Sequence, residues 1–127
     1  MKNDFEQISV KPGFMKHNGG LFFKTISDSE YEFKATIKEN HLNAAGIAHG
    51  GFIAALIDAG SGTAAHRSAN SSSCVTISLE LKFISPVLLN QELFGKTKIQ
   101  KKTKSMIFLT CELIAEDKIV ATASGVW

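Results

Sequence analysis

The sequence predicts an α+β domain in which one long helix is wrapped by an antiparallel sheet of five or six strands. Three observations lead there. The run from Gly50 to about Ser68 is apolar almost all the way round over Phe52, Ile53, Ala54, Ala55, Leu56, Ile57 and Ala59, which predicts a helix buried on every side. Several other stretches alternate apolar and polar residues with a period of two, the mark of half-buried strands. The later connections are short, and short connections join antiparallel neighbours because parallel ones need long crossovers.

Taken in order, residues 1–20 read as a peripheral N-terminal segment. Phe5, Ile8 and Val10 suggest one short amphipathic turn, ended by Pro12-Gly13. Asn18-Gly19-Gly20 is a strong turn signal, Leu21 to Ile26 reads as a strand, and Ser27-Asp28-Ser29 as the next turn. Tyr31, Phe33, Ala35 and Ile37 alternate with Glu32, Lys34, Thr36 and Lys38, giving a strand with one apolar face. Residues 39–49 form a loop into the helix. Gly60 and Gly62 sit in the helix interior, where each costs up to ~1 kcal/mol relative to alanine, so a close approach by a neighbouring backbone is expected there.

Ala69 to Ser73 is a polar connection, and the β pattern then resumes. Val75, Ile77, Leu79, Leu81 and Phe83 are expected along one strand face, with Pro86 closing the strand. Glu92 to Gln100, Ser105 to Ala115 and Lys118 to Val126 are three further strands, turning near Lys101-Lys102-Thr103 and Glu116-Asp117. Within 105–115, Ile107, Leu109, Cys111 and Leu113 face one way, and Met106, Phe108 and Ile114 the other. One helix cannot cover both faces, so the second predicts a contact between subunits.

With 127 residues the chain is a single domain, 1–127, large enough for one core. A hydrophobic content of 44% and a net charge of +2 fit a globular protein rather than a disordered or nucleic-acid-binding one. Asp58, Gly60, Ser61 and Gly62 interrupt the helix short of the ~20 apolar residues that span a membrane. The early acidic residues Asp4 and Glu6 leave no signal peptide visible, so a cytoplasmic protein without membrane partners is expected. Cys74 and Cys111 are far apart, without metal or redox spacing, and read as reduced thiols.

The chemistry concentrates around that helix. An ionised Asp58 on an apolar helix is expensive unless it is paired or hydrogen-bonded, which makes it a functional candidate. At the helix start, the first amides lack intrahelical partners and carry the positive end of the macrodipole. Gly50 and Gly51 have no side chains to keep a ligand oxygen away from those amides, as an oxyanion site requires. Residues 50 and 58 are eight apart, roughly 12 Å along a helix. One carbonyl cannot meet both groups of the same helix, so a shared site needs two chains. His41, His49 and Asp58 lack metal-ligand spacing, and no Gly-x-Ser-x-Gly elbow, P-loop or dinucleotide fingerprint is present.

Asn43, Gly46, His49-Gly50-Gly51 and Asp58, at these spacings, resemble the acyl-CoA thioesterases of the hotdog fold, most closely the phenylacetate-pathway type. Val75 to Pro86 resembles that family's long strand ending in a Ser-Pro or Arg-Pro pair. The resemblance spans roughly residues 20–126. It implies hydrolysis of an acyl-CoA thioester to a free acid and CoA, with CoA part of the substrate and no separate cofactor or metal. The Gly50 amide would polarise the carbonyl, with Asn43 positioning substrate or water nearby. His49 would hydrogen-bond the thioester or hold the loop. Asp58 would activate water or attack the thioester itself, and Thr76 would steer that water or steady the carboxylate. Gly51 and Phe52 are expected beside the substrate, with Ile53 and Leu56 favouring an apolar acyl group. Lys101, Lys102 and Lys104, clustered with Lys96 and Lys98, are either a solvated rim or a contact for the CoA phosphates. The assembly implied is a homodimer with shared sites, extended to a dimer of dimers. A hydratase or dehydratase on the same fold, and an acyl-CoA-binding protein without catalysis, are the competing readings.

Overall fold

A computed structural model describes residues 5–127. Its strands are β1 (Glu6–Gln7), β2 (Phe22–Thr25), β3 (Glu30–Thr36), β4 (Ser78–Phe83), β5 (Glu92–Lys102), β6 (Ile107–Ala115) and β7 (Lys118–Val126). Its helices are α1 (Phe14–His17) and α2 (Gly50–Ser68), with a short 3-10 turn at Glu39–His41. The strands form one antiparallel sheet in the order β1-β2-β3-β5-β6-β7-β4, wrapped around α2. The expected long helix and sheet are both present, and the short β1 adds a seventh strand.

Alternation fixes which face each strand turns to the helix. Tyr31, Phe33, Ala35 and Ile37 are all buried, as are Leu93, Thr97 and Ile99 on β5 and Ile107, Leu109, Cys111, Leu113 and Ala115 on β6. The helix contributes Phe52, Ile53, Leu56, Ile57, Gly60, Ser61, Ala64 and Ala65 to this core. At its centre the Phe33 ring lies between Gly60 of α2 and Gly95 of β5, and a Cβ at either position would overlap the ring. The close approach that these helix glycines permit is therefore by side chains rather than by backbone. At Gly62 the nearest atom to an added Cβ is Trp127 Nε1, at 3.4 Å.

Three further expectations are corrected. α2 is not buried all round: Ala54, Ala55, Asp58, Ala59, Gly62 and Thr63 form a half-exposed stripe, because the described elements cover that side only in part, with the N-terminal segment bordering its Asp58 end. The strand expected from Val75 begins only at Ser78, and Val75 (77%), Ile77 (60%) and Phe83 (59%) are among the most exposed apolar side chains. β4 is an edge strand, with no further strand beyond it among the described residues. The turn expected within residues 5–12 falls instead after Pro12-Gly13, as α1, while Glu6 and Gln7 pair with Phe23 and Phe22. On β6 the outer face is apolar only near its ends, where half-buried Phe108 and Ile114 bracket Thr110 and an exposed Glu112.

Candidate active site

The loop before α2 is built by short-range hydrogen bonds. Asn43 Oδ1 accepts from the amides of Ala45 (2.9 Å) and Ile47 (3.3 Å), and the Gly46 N–H closes onto the Asn43 carbonyl at 3.0 Å. An asparagine favours such a turn because its side chain mimics a backbone carbonyl. With Oδ1 engaged, the Nδ2 of Asn43 is the side chain's available donor.

His49 is the N-cap of α2, and its Nδ1 accepts from the Gly51 N–H at 2.8 Å. Phe52 and Ile53 donate to the His49 carbonyl. The Gly50 amide, the first of the helix, donates to no protein acceptor among the described residues. Gly50 has no left-handed φ, and a Cβ there would meet only the Phe83 ring, at an ordinary 3.6 Å. Neither the backbone nor the packing of this chain demands glycine at that position. Its bare Cα leaves an unpartnered amide open to a ligand. Gly51 differs, since its amide is taken by His49 and a Cβ would crowd that ring at 3.0 Å.

The loop is pinned from behind by His41, which sequence reasoning set aside with the metal ligands. Its Nδ1 accepts from the Lys38 N–H at 2.9 Å, and its Nε2 lies 2.7 Å from the Asn18 carbonyl. Its carbonyl takes the His49 N–H at 2.8 Å, and its ring stacks on Phe52 with centroids 3.7 Å apart. Phe52 is thereby buried against His41, while Ile53 and Gly50 line a groove of about 480 Å³ with Asn43, Ile47 and Phe83.

Asp58 lies two turns further along α2, on the half-exposed stripe. Thr76 Oγ1 donates to Asp58 Oδ1 at 2.6 Å, a short charge-assisted bond that leaves Oδ2 without a partner among the described residues. No cation among the described residues makes an ion pair with this carboxylate. The pair lines a second groove, of about 680 Å³, with Gly62, His66, Trp127 and residues 8–13, 15 and 16. The two grooves share no lining residue. The chain thus brings Gly50 to Asn43 and Asp58 to Thr76, but keeps the two pairs apart.

Of the lysines, Lys102 Nζ donates to the Ser68 carbonyl at 2.8 Å, satisfying an end of α2. Lys104 lines a further groove of about 480 Å³ with Lys102, Asn70 and Ser105, and Lys101 is exposed on β5. No group of three or more His, Cys, Asp or Glu residues is placed to hold a metal among the described residues. No helix among them is long and apolar enough to cross a membrane.

The sequence profile of the thioesterase superfamily matches residues 45–122, a stretch that contains Gly50, Asp58 and Thr76. The chain belongs to the thioesterase superfamily. A Pseudomonas aeruginosa protein named as a suspected esterase is 31% identical over 110 residues, spanning 86% of this chain and 82% of that one. Zebrafish thioesterase superfamily member 2 has the same fold, with a TM-score of 0.84 at 19% identity over 93% of this chain and 87% of that one. So does the Escherichia coli PaaI protein of the phenylacetic acid degradation operon, with a TM-score of 0.75 at 21% identity over 87% and 79% of the two chains. These likenesses make the sheet-wrapped helix a hotdog fold. In this thioesterase-superfamily chain Asn43 precedes the matched stretch by two residues, and the whole N-terminal segment lies outside it.

Sequence reasoning missed three contributors to the grooves: Phe83 over Gly50, Trp127 beside Gly62, and the segment 8–16 opposite Asp58. Only Trp127 carried a signal, as the one tryptophan in the chain.

Proposed function

We propose that the protein hydrolyses an acyl-CoA thioester to a free acid and CoA, at two equivalent sites shared across a homodimer. The observation that carries this reading is the division of one helix into two half-sites. An open amide lies at Gly50 and a hydroxyl-steadied carboxylate at Asp58, each in its own groove, roughly 12 Å apart along the axis. Reacting atoms must approach to ~3 to 3.5 Å, so the two half-sites act on one bond only when they come from different copies. Ala54 and Ala55 on the half-exposed stripe of α2, with the exposed Ile77 and Phe83 at the β4 edge, supply an apolar surface for that second copy.

In this mechanism the thioester carbonyl accepts from the Gly50 N–H of one copy, with Asn43 Nδ2 beside it. Asp58 of the other copy takes a proton from water through Oδ2, while Thr76 holds Oδ1. The water oxygen bonds to the carbonyl carbon, the C–S bond breaks, and the proton returns to the departing thiolate. The carboxylate ends as it began. His49 holds the amide ladder in place, and Lys101 and Lys104 remain available to CoA phosphates. A dimer of dimers is compatible with Phe108 and Ile114 on the outer face of β6.

Thiol release from a panel of acyl-CoAs tests this. Wild type should release thiol, and Asp58→Asn should lower kcat by roughly 10²- to 10⁴-fold, the usual contribution of a general base, with the assembly unchanged. A product altered in its acyl chain without thiol release would establish a hydratase or dehydratase. Binding without turnover would establish a carrier or sensor.

A further inference from the structure

The groove that starts at Asp58 has a wall that the family match does not contain. Residues 8–13, 15 and 16 form one side of it, and the match begins at residue 45. The segment is held against the body of the fold at several points. The Ile8 N–H donates to the Leu21 carbonyl at 3.2 Å, and Ser9 Oγ accepts from the Leu21 N–H at 3.2 Å. Glu6 pairs with Arg67 of the last turn of α2 at 2.8 Å. Gly20, at φ +68°, lets the segment close, since a Cβ there would lie 2.7 Å from Gln7 Oε1 and 2.8 Å from Ser9 Cβ. These contacts fix the segment where it faces the carboxylate.

The opposite side of the groove is α2 itself. Gly62 lies one turn beyond Asp58 on the same stripe and lines the groove with it. An interior helix glycine costs ~1 kcal/mol relative to alanine, yet a Cβ at 62 would meet only Trp127 Nε1, at 3.4 Å. Packing within the chain does not require this glycine. Its missing side chain instead leaves room one turn from the Asp58–Thr76 pair, facing Ile8, Val10 and Met15. Lys11 and Lys16 are exposed at the rim.

We propose that residues 8–16 and Gly62 form the wall and floor of a compartment for the apolar acyl chain, and that this compartment sets the chain length the enzyme accepts. The inference rests on the thioesterase reading of the Asp58–Thr76 pair. It commits the groove to the acyl group and sends CoA the other way. Cys74, Val75 and Trp127 border both this groove and the neighbouring one that holds Lys102 and Lys104. Lys102 and Lys104 lie along that exit, while the end of the groove toward Gly62, Ile8 and Met15 is apolar, with Lys11 and Lys16 at its exposed rim.

The test is kcat/KM for thiol release across a straight-chain series from acetyl-CoA to palmitoyl-CoA, with sedimentation of each variant. In wild type, kcat/KM should rise roughly fourfold for each methylene the compartment takes up, then stop rising where the chain outgrows it. Gly62→Leu should move that break to shorter chains, lowering the ratio of long-chain to short-chain kcat/KM at least tenfold. The widening pair Val10→Ala and Met15→Ala changes a peripheral segment and leaves the core intact. It should move the break to longer chains. If wild type shows the series but neither variant moves the break, the compartment lies elsewhere, and the thioesterase reading stands without it. If Gly62→Leu lowers every ester alike and changes the sedimentation, Gly62 is a contact between copies and the proposal is overturned. If wild type releases no thiol from any ester, the thioesterase reading fails and this inference falls with it.

Discussion

Mixing two inactive variants offers the sharpest test of a shared site. Gly50→Val places a side chain where the carbonyl should dock. The backbone accepts it, because the position has no left-handed φ and a Cβ there meets Phe83 at an ordinary 3.6 Å. Asp58→Asn removes the proposed base while keeping the shape of a group that accepts from Thr76 at 2.6 Å. Each variant alone should keep about 1% of wild-type turnover or less, given the 10²- to 10⁴-fold worth of an oxyanion donor or a general base. In a mixed dimer one site collects both lesions and the other neither. With equal amounts and free exchange, half of the dimers are mixed and each has one good site of two, so activity should return to about a quarter of wild type. The assay is thiol release before and after subunit exchange, with two affinity tags to count mixed dimers. Mixed dimers that form but stay at the parental rate would place the whole site in one chain and refute the half-site argument.

Two predictions bear on the scaffold. Gly95→Ala pushes a methyl into the Phe33 ring, which is 1% exposed and already held against Gly60. It should cost about 1–3 kcal/mol, read as a lower urea midpoint. Adding Phe33→Leu should recover part of that loss, and strictly additive effects would mean the ring is not where the packing places it. Burial pushes the Cys111 thiol up to about 12 from its ordinary 9.0, a rise that Ser61 beside it partly offsets. Between those values the unfolded chain loses the proton and the folded chain keeps it. Stability should therefore fall by up to ~1.4 kcal/mol per pH unit as pH rises above about 9. Tyr31, raised by burial and by Asp28, adds to the fall in the same direction at higher pH. Urea titrations of wild type and Cys111→Ala measure the slope, and equal slopes below pH 10 would dismiss the thiol.

The parts of the fold legible in the sequence are those whose apolar residues are covered by the same chain. Tyr31, Phe33, Ala35 and Ile37 alternate because one side of β3 meets α2 and the other meets water. The same logic misreads Val75 and Ile77. They are apolar on an expected strand face, yet β4 starts after them and they are exposed among the described residues. Apolar character says that a surface is to be covered without saying by what, and α2 misleads in the same way. The two residues of β1 are too few to show a period, and their pairing depends on Gly20 letting the segment fold back. The separation of Gly50 and Asp58 was legible because one helix joins them, so spacing converts directly into distance, whereas Asn43 and His49 were singled out by the family resemblance. The grooves were not legible, since each gathers elements far apart in the chain, such as Met15 with Gly62 and Trp127.

The glycines show how structure sharpens such a motif. Sequence alone cannot separate a glycine kept for backbone conformation, one kept for packing and one kept for a ligand. Gly20 and Gly46 have positive φ, at 68° and 81°, and Gly60 and Gly95 are filled by Phe33. Each of these four has a reason inside the chain. Gly50 and Gly62 have none: their φ is ordinary and an added Cβ finds only normal contact. Both lie on α2, on either side of Asp58, and both border grooves that carry the candidate chemistry. A helix that forgoes side chains at these two positions gains nothing in packing and loses helix propensity at Gly62. The space left open at these two positions is what the proposed carbonyl and acyl chain would occupy.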